Sequence, residues 1–319
     1  MRALIDRHHA DLFYSLQLLF EDRLGIEVWT PIGHEWWDEG VWRFGEGYGD
    51  DRLARQFLGP QPAFDGHHPK RPIRFVTHGQ ARQMTWDYVV ATVQDNQRGF
   101  ADFAREVGAK YVLQVGNTNQ QVDWSLDPLA LVSSEVPIRG AGVTYHQELE
   151  AETTFRFRDL QDGQVIRSFV NCFPSTPCHR PFLEAQDVLP EFTFVNHGID
   201  GDNIERTSDI ADLMAGSGWG WHDKVQGDGF GHVIHGWAAV GRPLIGHAAH
   251  YRGLMGELFW DNLVTCIDLD RYTLTEAMGL VREITSDRAQ HEAMCREIRA
   301  RFDTIDYAAE AEAIRALLA

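Results

Sequence analysis

The sequence has few cysteines, and their spacing excludes the common cysteine-based metal sites. Only 4 cysteines occur among 319 residues. The two that are closest in sequence, Cys172 and Cys178, are separated by 5 residues, which is not the spacing of a zinc knuckle. We therefore expect reduced thiols with mostly structural roles.

Positive charge is also scarce. The chain has 29 Lys and Arg residues against 47 Asp and Glu residues, which gives a net charge of −18. Such a surface repels the phosphates of nucleic acids, so a long nucleic-acid footprint would need basic residues gathered in one cleft. The charge favours a small molecule or a glycan as partner over DNA or RNA.

Long apolar runs are absent as well. No stretch approaches the ~18 apolar residues of a membrane span, and residues 1–9 lack the apolar core of a signal peptide. With 44% hydrophobic and 24% charged residues, the composition is that of a soluble globular protein, and the length suffices for two domains. We expect a cytoplasmic protein.

Several catalytic signatures are missing. The sequence has no Gly-x-Ser-x-Gly nucleophile elbow and no Gly-x-Gly-x-x-Gly after its first strand. Its 15 histidines form no convincing set of metal ligands. The two Asp-x-Asp triplets, at 200–202 and 268–270, are too short to be specific. We therefore predict that no metal takes part.

The order of the apolar segments predicts two α/β halves. Residues 3–5 and 26–32 have the pattern of buried strands around an amphipathic helix at 12–24, which predicts a parallel sheet. A second series of strands and helices begins at residue 169. We place the domains at 1–168 and 169–290, with a C-terminal helix at 291–319 that packs back toward the first domain. Residues 154–158 and 164–169 are predicted to form a hairpin.

The most informative segment is residues 219–245. Lys224 precedes a glycine-rich turn containing Gly227, Gly229 and Gly231, after which an apolar helix, a second turn and a short strand follow. This order brings free backbone N–H groups and the positive end of a helix to one point, where a diphosphate can bind. Glycine lets the backbone approach the anion closely, and Lys224 adds a point charge.

The segment resembles the donor-binding segment of glycosyltransferases with the GT-B fold. The matching residues are Asp228-Gly229-Phe230-Gly231 and, at the end of the helix, Ala239-Val240-Gly241-Arg242-Pro243-Leu244-Ile245. The family usually opens the turn with a glutamate, and Asp228 keeps a carboxylate there. A second glutamate of the family holds the nucleotide ribose, and Gly236 stands in its place. The resemblance thus supports phosphate binding better than any particular nucleotide.

This resemblance implies an α/β fold with two Rossmann-like domains that face each other across a cleft, and C-terminal helices that brace both. The nucleotide-sugar donor would bind to the second domain and the acceptor to the first. Ligands of such sheets bind beyond the carboxyl ends of the strands, so the active site is expected in the cleft.

Further donor contacts are predicted around the glycine turn. His197 follows a predicted strand, His232 follows Gly231 directly, and Arg252 precedes a later helix. We predict that these three bind the donor together with Lys224 and the turn residues Gly227, Asp228, Gly229, Phe230 and Gly231. A surface ion pair is the alternative role for Arg252.

The resemblance also points to a catalytic base in the first half. In GT-B enzymes that invert the anomeric centre, a histidine or carboxylate from the loop after the first strand often takes the acceptor proton, which here indicates His8, His9 or Asp11. Histidine suits this role because its unperturbed pKa of ~6.5 leaves it mostly neutral at pH 7. Glu148 is an alternative base, and a surface role for the histidine pair stays open.

Three residues are predicted to contact the acceptor. His146 ends a predicted strand, Asn117 offers an amide, and Trp36 belongs to an aromatic-rich loop that could stack on a sugar or a base. Buried packing is the alternative role for the aromatic residues.

The leading prediction is a metal-independent glycosyltransferase of the hexosyltransferase type. It would move a sugar from a UDP- or GDP-linked donor to a hydroxyl acceptor, which could be a glycan, a small molecule or a modified nucleic-acid base. A sugar-nucleotide epimerase and a non-catalytic nucleotide-sugar binding protein are the alternatives. The missing carboxylate at Gly236 keeps the last of these open.

Overall fold

The structure is a computed structural model of the whole chain. It describes residues 1–6, 10–31, 59–61, 73–76, 78–92, 96–117, 120–171, 173–198, 202, 204, 206–224 and 229–319. Among these residues, no helix is long and apolar enough to cross a membrane.

The described elements alternate between strands and helices. The strands are β1 (Arg2–Ile5), β2 (Glu27–Pro31), β3 (Gly59–Gln61), β4 (Ile73–Val76), β5 (Tyr88–Ala91), β6 (Lys110–Val115), β7 (Leu129–Val132), β8 (Gly142–Thr144), β9 (Val165–Ser168), β10 (Thr193–Asn196), β11 (Trp219–Trp221), β12 (Leu244–Gly246) and β13 (Cys266–Asp268). The α-helices are α1 (Ala10–Gln17), α2 (His78–Ala81), α3 (Gln97–Val107), α4 (His179–Val188), α5 (Thr207–Ala215), α6 (His232–Val240), α7 (Leu274–Ser286), α8 (Arg288–Phe302) and α9 (Tyr307–Leu318).

The chain divides into two compact units. The first comprises residues 1–148 and 306–319, and the second comprises residues 149–305. The boundary thus lies 20 residues before the predicted one at 168/169. It differs because β9, which was predicted to belong to a hairpin of the first domain, pairs in parallel with β10 and β11 of the second unit.

The first unit is built on an eight-stranded sheet in the order β3-β4-β2-β1-β5-β6-β7-β8. Every pairing is parallel except that of β3 with β4. Its central strands are apolar on both faces, as expected for a sheet covered by helices on both sides. One face packs against α1 and α9, and the other packs against α3.

The last helix, α9, belongs to the first unit although it ends the chain. Its side chains Ala311, Ile314 and Leu318 are buried in the same core as β1 and α1. Lys110, at the start of β6, donates hydrogen bonds of 2.7 Å to the carbonyl oxygens of Leu318 and Ala319.

The second unit contains a five-stranded parallel sheet in the order β10-β9-β11-β12-β13. Its core includes Trp219 and Trp221 of β11, Phe182 of α4 and Met278 of α7. Helices α7, α8 and α9 begin at side-chain caps, and Thr273 and Glu276 form a reciprocal capping box at α7.

Candidate donor site

Each sheet has one point where the strand order reverses, and polar residues lie at both points. In the second unit the reversal lies between β9 and β11, and in the first unit between β1 and β5. Ligands of open parallel sheets bind beyond the carboxyl ends of the strands at such points. The residues that follow these strands therefore form the candidate sites.

The described part of the glycine turn, Gly229–Gly231, follows β11 in the chain, and β11 borders the reversal in the second unit's sheet. Gly231 caps the start of α6 in the left-handed conformation, with φ 78° and ψ 61°, which is favourable for glycine alone among the common residues. Gly229 and Phe230 before it are buried. The N–H groups of the first turn of α6, which have no acceptor within the helix, are therefore next to a backbone that carries no side chain at Gly231.

Phe230 anchors this turn from inside. Its ring is 2% exposed and stacks on the ring of His235 at a centroid distance of 3.9 Å. The Nδ1 atom of His235 lies 3.0 Å from the carbonyl oxygen of Gly231. The packing of Phe230 on His235 thus fixes the conformation of the turn. His232 is half-buried, and its ring lies edge-on to Phe230 at 5.1 Å.

The residues after β11 precede the turn. His222 and Asp223 are buried, and Lys224 is half-buried. Burial raises the pKa of Asp223 above its ordinary value, although His247, the Cys178 thiol and nearby histidines act to lower it.

His197 follows β10, as the sequence indicated. It is buried, and its ring stacks on Phe169, which follows β9, at a centroid distance of 4.8 Å. Burial and the guanidinium of Arg167 lower the pKa of His197. The imidazole ring is therefore neutral at pH 7, and it stacks on Phe169 at the end of β9.

Gly236 is packed too closely to accept a larger side chain without movement. A Cβ atom there would lie 3.1 Å from Cε1 of Phe155 and 3.2 Å from Sδ of Met214. The position where the resembled family has a glutamate is thus occupied by apolar packing. Arg252 is exposed and follows a short 3-10 helix at Ala248–Tyr251.

The first unit has its own polar cluster at its reversal point. Asp6, directly after β1, is fully buried, and its Oδ2 accepts a hydrogen bond of 2.6 Å from Nδ2 of Asn96. The hydroxyl of Thr92, after β5, lies 3.4 Å from the backbone oxygen of Asp6. Asp6 was not singled out from the sequence, although its place at the end of the first strand was a sufficient signal.

The two predicted polar residues after β8 have structural partners. The carboxylate of Glu148 is buried and receives two bonds from the guanidinium of Arg23, at 3.0 Å and 3.3 Å. Glu310 of α9 accepts a hydrogen bond of 2.8 Å from the backbone N–H of His146 at its Oε2, and its Oε1 lies 2.6 Å from Nδ1 of His146. These contacts hold the segment after β8 to α9 and to the end of the π-helical segment Leu18–Arg23 that follows α1.

The remaining predicted residues divide into two groups. Asn117 is exposed after β6, and Asp11 lies in α1. The others lie outside the described residues: His8, His9, Trp36, Gly227 and Asp228.

One further polar group, at the carboxyl ends of β11, β12 and β13, was not predicted. His247 after β12 lies 2.7 Å from Asp270 after β13, and 4.0 Å from Asp223 after β11. These residues are far apart in sequence, so only the strand order brings them together. No group of three or more His, Cys, Asp or Glu within the described ranges could hold a metal ion.

Comparison with known proteins supports the fold. By sequence, no family model and no curated protein matches the chain. By structure, the chain is similar to HepE of Anabaena in complex with UDP, with a TM-score of 0.64 and 11% identity over 98% of each chain. It is similar to an alpha-glucosyltransferase in complex with UDP-glucose and DNA, with a TM-score of 0.61 and 11% identity over 96% of this chain and 95% of that one.

A third similar structure is the sucrose-phosphate synthase of Thermosynechococcus elongatus. Its TM-score is 0.55 at 11% identity, over 99% of this chain and 97% of that one. These similarities extend over nearly the whole chain and confirm the predicted fold: this protein has two Rossmann-like α/β units of the GT-B type.

Proposed function

We propose that this protein transfers a sugar from a nucleotide-diphosphate donor to a hydroxyl acceptor. The observation that carries the proposal is the turn at Gly231. A left-handed glycine opens α6 after β11, a strand that borders the reversal point of the parallel sheet. The nucleotide named with two of the similar structures, UDP, has a diphosphate of the kind that such a turn binds.

The electrostatics of the turn suit the leaving group of this reaction. When the glycosidic bond of the donor breaks, negative charge develops on the diphosphate oxygen. The N-terminal N–H groups of α6 and the ammonium of Lys224 would stabilise that charge more strongly than the charge of the intact donor. These groups supply positive charge without a metal ion, and metal independence is therefore part of the proposal.

The donor and the acceptor are proposed by class. A UDP- or GDP-linked hexose is the proposed donor, and the acceptor is a hydroxyl of a glycan or a small molecule. One of the similar structures contains DNA, but a net charge of −18 opposes nucleic-acid binding by this chain. His8 and His9 remain the predicted bases, and Asp6 is a buried carboxylate at the end of the same strand.

A thermal-shift screen followed by a donor assay tests the proposal. UDP or GDP and the matching nucleotide sugars should raise the unfolding temperature, because a ligand that binds only the native state stabilises it. Incubation with the stabilising nucleotide sugar should then release the nucleoside diphosphate, by transfer or by slow hydrolysis, equally with and without EDTA.

The other outcomes identify the alternatives. Change of the sugar without release of the nucleotide would indicate an epimerase. Binding without any turnover would indicate a binding protein. No shift with any nucleotide or nucleotide sugar would overturn the proposal.

A further inference from the structure

His247, after β12, has its imidazole ring held in a defined orientation at the surface. Its Nδ1 lies 2.7 Å from Oδ1 of Asp270, which follows β13. The side chain of His247 is 41% exposed, so the ring is not a core residue. A histidine with one nitrogen bonded to a carboxylate presents its other nitrogen, Nε2, in a fixed direction.

Asp270 is itself fixed by backbone contacts. Its Oδ2 accepts a hydrogen bond of 2.8 Å from the N–H of Ala249, and its own N–H donates to Oδ1 of Asp268 at 3.0 Å. Burial acts to raise the pKa of Asp270, but the bonds from Ala249 and His247 outweigh it and place the pKa below its ordinary value. Asp270 is therefore ionised at neutral pH and accepts a hydrogen bond from the Nδ1–H of His247.

The Nε2 atom of His247 faces the end of β11. The N–H of His222 donates to the oxygen of Ile245 at 2.9 Å, and a Cβ atom on Gly246 would overlap the carbonyl oxygen of His222. The ends of β11 and β12 therefore lie very close together. Nε2 is 4.0 Å from Oδ1 of Asp223, the residue before Lys224, which is longer than a hydrogen bond.

We propose that His247 is a donor-contacting residue: its doubly protonated ring donates one hydrogen bond from Nε2–H to the diphosphate and one from Nδ1–H to Asp270, the positioning residue that orients it. The inference rests on the function proposed above. In the transfer step the bond from the anomeric carbon to the phosphate oxygen breaks, and the electron pair stays on that oxygen. His247 stabilises the resulting charge without giving up its proton.

Asp223 is the competing partner for Nε2. Its carboxyl group faces His247, the thiol of Cys178, and His222 and His250, all of which act to lower its pKa against the larger effect of burial. If Nε2 of His247 instead donated a hydrogen bond to Asp223, then His247, Asp223 and Asp270 would only connect the ends of β11, β12 and β13. Such a connection would affect stability but not the pH profile of nucleotide binding.

The decisive measurement is the affinity for UDP between pH 5.5 and 8.5, by calorimetry on the full chain. The variants are His247→Ala, His247→Gln and Asp270→Asn. Asp187→Asn, which neutralises an exposed carboxylate on α4, is the control for a lost negative charge. The ionisation of UDP itself is common to all of them. Thermal unfolding of each variant reports any loss of folded protein.

A charge-assisted hydrogen bond predicts specific changes. His247→Ala should weaken UDP binding about 10-fold or more at the acidic end of the range. His247→Gln keeps an N–H but cannot be charged, so it should bind with intermediate affinity and a flatter profile. A carboxylate favours the charged ring, so Asp270→Asn should lose most of the gain in affinity at the acidic end and should approach the affinity of His247→Ala there.

The contrary results separate the two proposals. If the wild type binds UDP and His247→Ala binds it equally well, or Asp270→Asn has the wild-type profile, the role of His247 is overturned and the proposed function stands. If the wild type binds no nucleoside diphosphate at any pH, the proposed function fails and this inference fails with it.

Discussion

Arg242 makes several buried hydrogen bonds within the second unit. It is fully buried, and its guanidinium donates to six backbone carbonyl oxygens, at distances of 2.5 to 3.3 Å. The acceptors are Arg158, Asp159, Ala215, Ser217, Val240 and Gly241. The planar fork of arginine thus joins the segment before β9 to the ends of α5 and α6.

Replacing Arg242 by lysine should strongly destabilise the protein. An ammonium has three donors and a different geometry, so several buried carbonyl oxygens would lose their partners. We expect a loss of about 3–5 kcal/mol in the free energy of unfolding, measured by urea denaturation. Arg296→Lys, at an exposed arginine of α8, is the control. A loss below about 1 kcal/mol for Arg242→Lys would contradict the proposed role of the guanidinium.

Lys224 permits a second prediction at this scale. It lies three residues after the end of β11 and precedes the glycine turn in sequence, so Lys224→Ala should weaken binding of the nucleotide found in the screen by about 10-fold or more. The unfolding temperature should stay near that of the wild type, because the side chain is not part of the apolar core. Arg296→Ala removes an exposed positive charge from the same unit and should leave the affinity unchanged. An unchanged dissociation constant for Lys224→Ala would remove its role at the diphosphate.

At the scale of elements, α6 shows what local sequence can predict. The helix was expected at 231–239 and is found at His232–Val240. Both ends were predictable because glycines mark them: Gly231 and Gly241 have φ angles of 78° and 73°. Some helix ends require a backbone conformation that only glycine adopts easily. A single glycine in the sequence is then enough to predict such an end.

The predicted hairpin shows where local pattern fails. Residues 154–158 were expected to pair with residues 164–169, but they form no strand. Phe155 packs near Gly236 of α6, and the ring of Phe157 occupies the space beside Gly241. An alternation of apolar and polar residues indicates that one side is buried but not what buries it. Here the apolar side chains pack on α6 instead of facing a partner strand.

The turn before α6 can be tested by making its backbone conformation unfavourable. Gly231→Val should abolish sugar transfer or nucleotide binding, because a β-branched residue resists a positive φ and fills space at the start of the helix. The control is Gly108→Val, at the end of α3, where φ is 71° and no atom lies within 4 Å of the added Cβ.

Both variants carry similar backbone strain, so a difference in activity between them reports the ligand site. Equal turnover in folded Gly231→Val and wild type would show that no ligand lies on this turn. Equal loss in both variants would attribute the effect to stability.

At the scale of the whole molecule, the fold was more predictable than the sites. Two parallel α/β halves follow from the order of strands and helices, and the glycine turn follows from local sequence. The contacts of His247 with Asp270 and of Arg23 with Glu148 span 23 and 125 residues. Such pairs depend on strand order, which a single sequence does not contain, so neither of these two contacts was predicted.

Stability toward acid is a property of the whole molecule that a single buried histidine should control. His291 of α8 is fully buried against Trp219, with a ring centroid distance of 4.6 Å, and its Nε2 lies 3.1 Å from the oxygen of Gly218. Its Nδ1 has no hydrogen-bond partner among the described residues. Burial lowers the pKa of His291 to about 4, because a proton on Nδ1 would have no acceptor.

The sign of the pH dependence follows from this shift. The unfolded chain binds a proton at an ordinary histidine pKa of ~6.5, and the folded protein resists it until about pH 4. The contribution of His291 to stability is therefore fully present above pH 6.5 and is lost as the pH falls to 4. Over that range the free energy of unfolding should decrease by about 3 kcal/mol through this residue.

His291→Gln tests the prediction, since glutamine can donate to the oxygen of Gly218 but cannot titrate. The variant should be less stable than the wild type at pH 7.5, because the amide packs less well against Trp219. It should, however, lose less stability on acidification. The free energies of unfolding of the variant and the wild type, measured by urea denaturation, should therefore converge near pH 4. His179→Gln, at a half-buried histidine of α4, should leave the acid dependence unchanged. Parallel losses in the wild type and His291→Gln between pH 7.5 and 4 would mean that other groups govern the acid sensitivity of this fold.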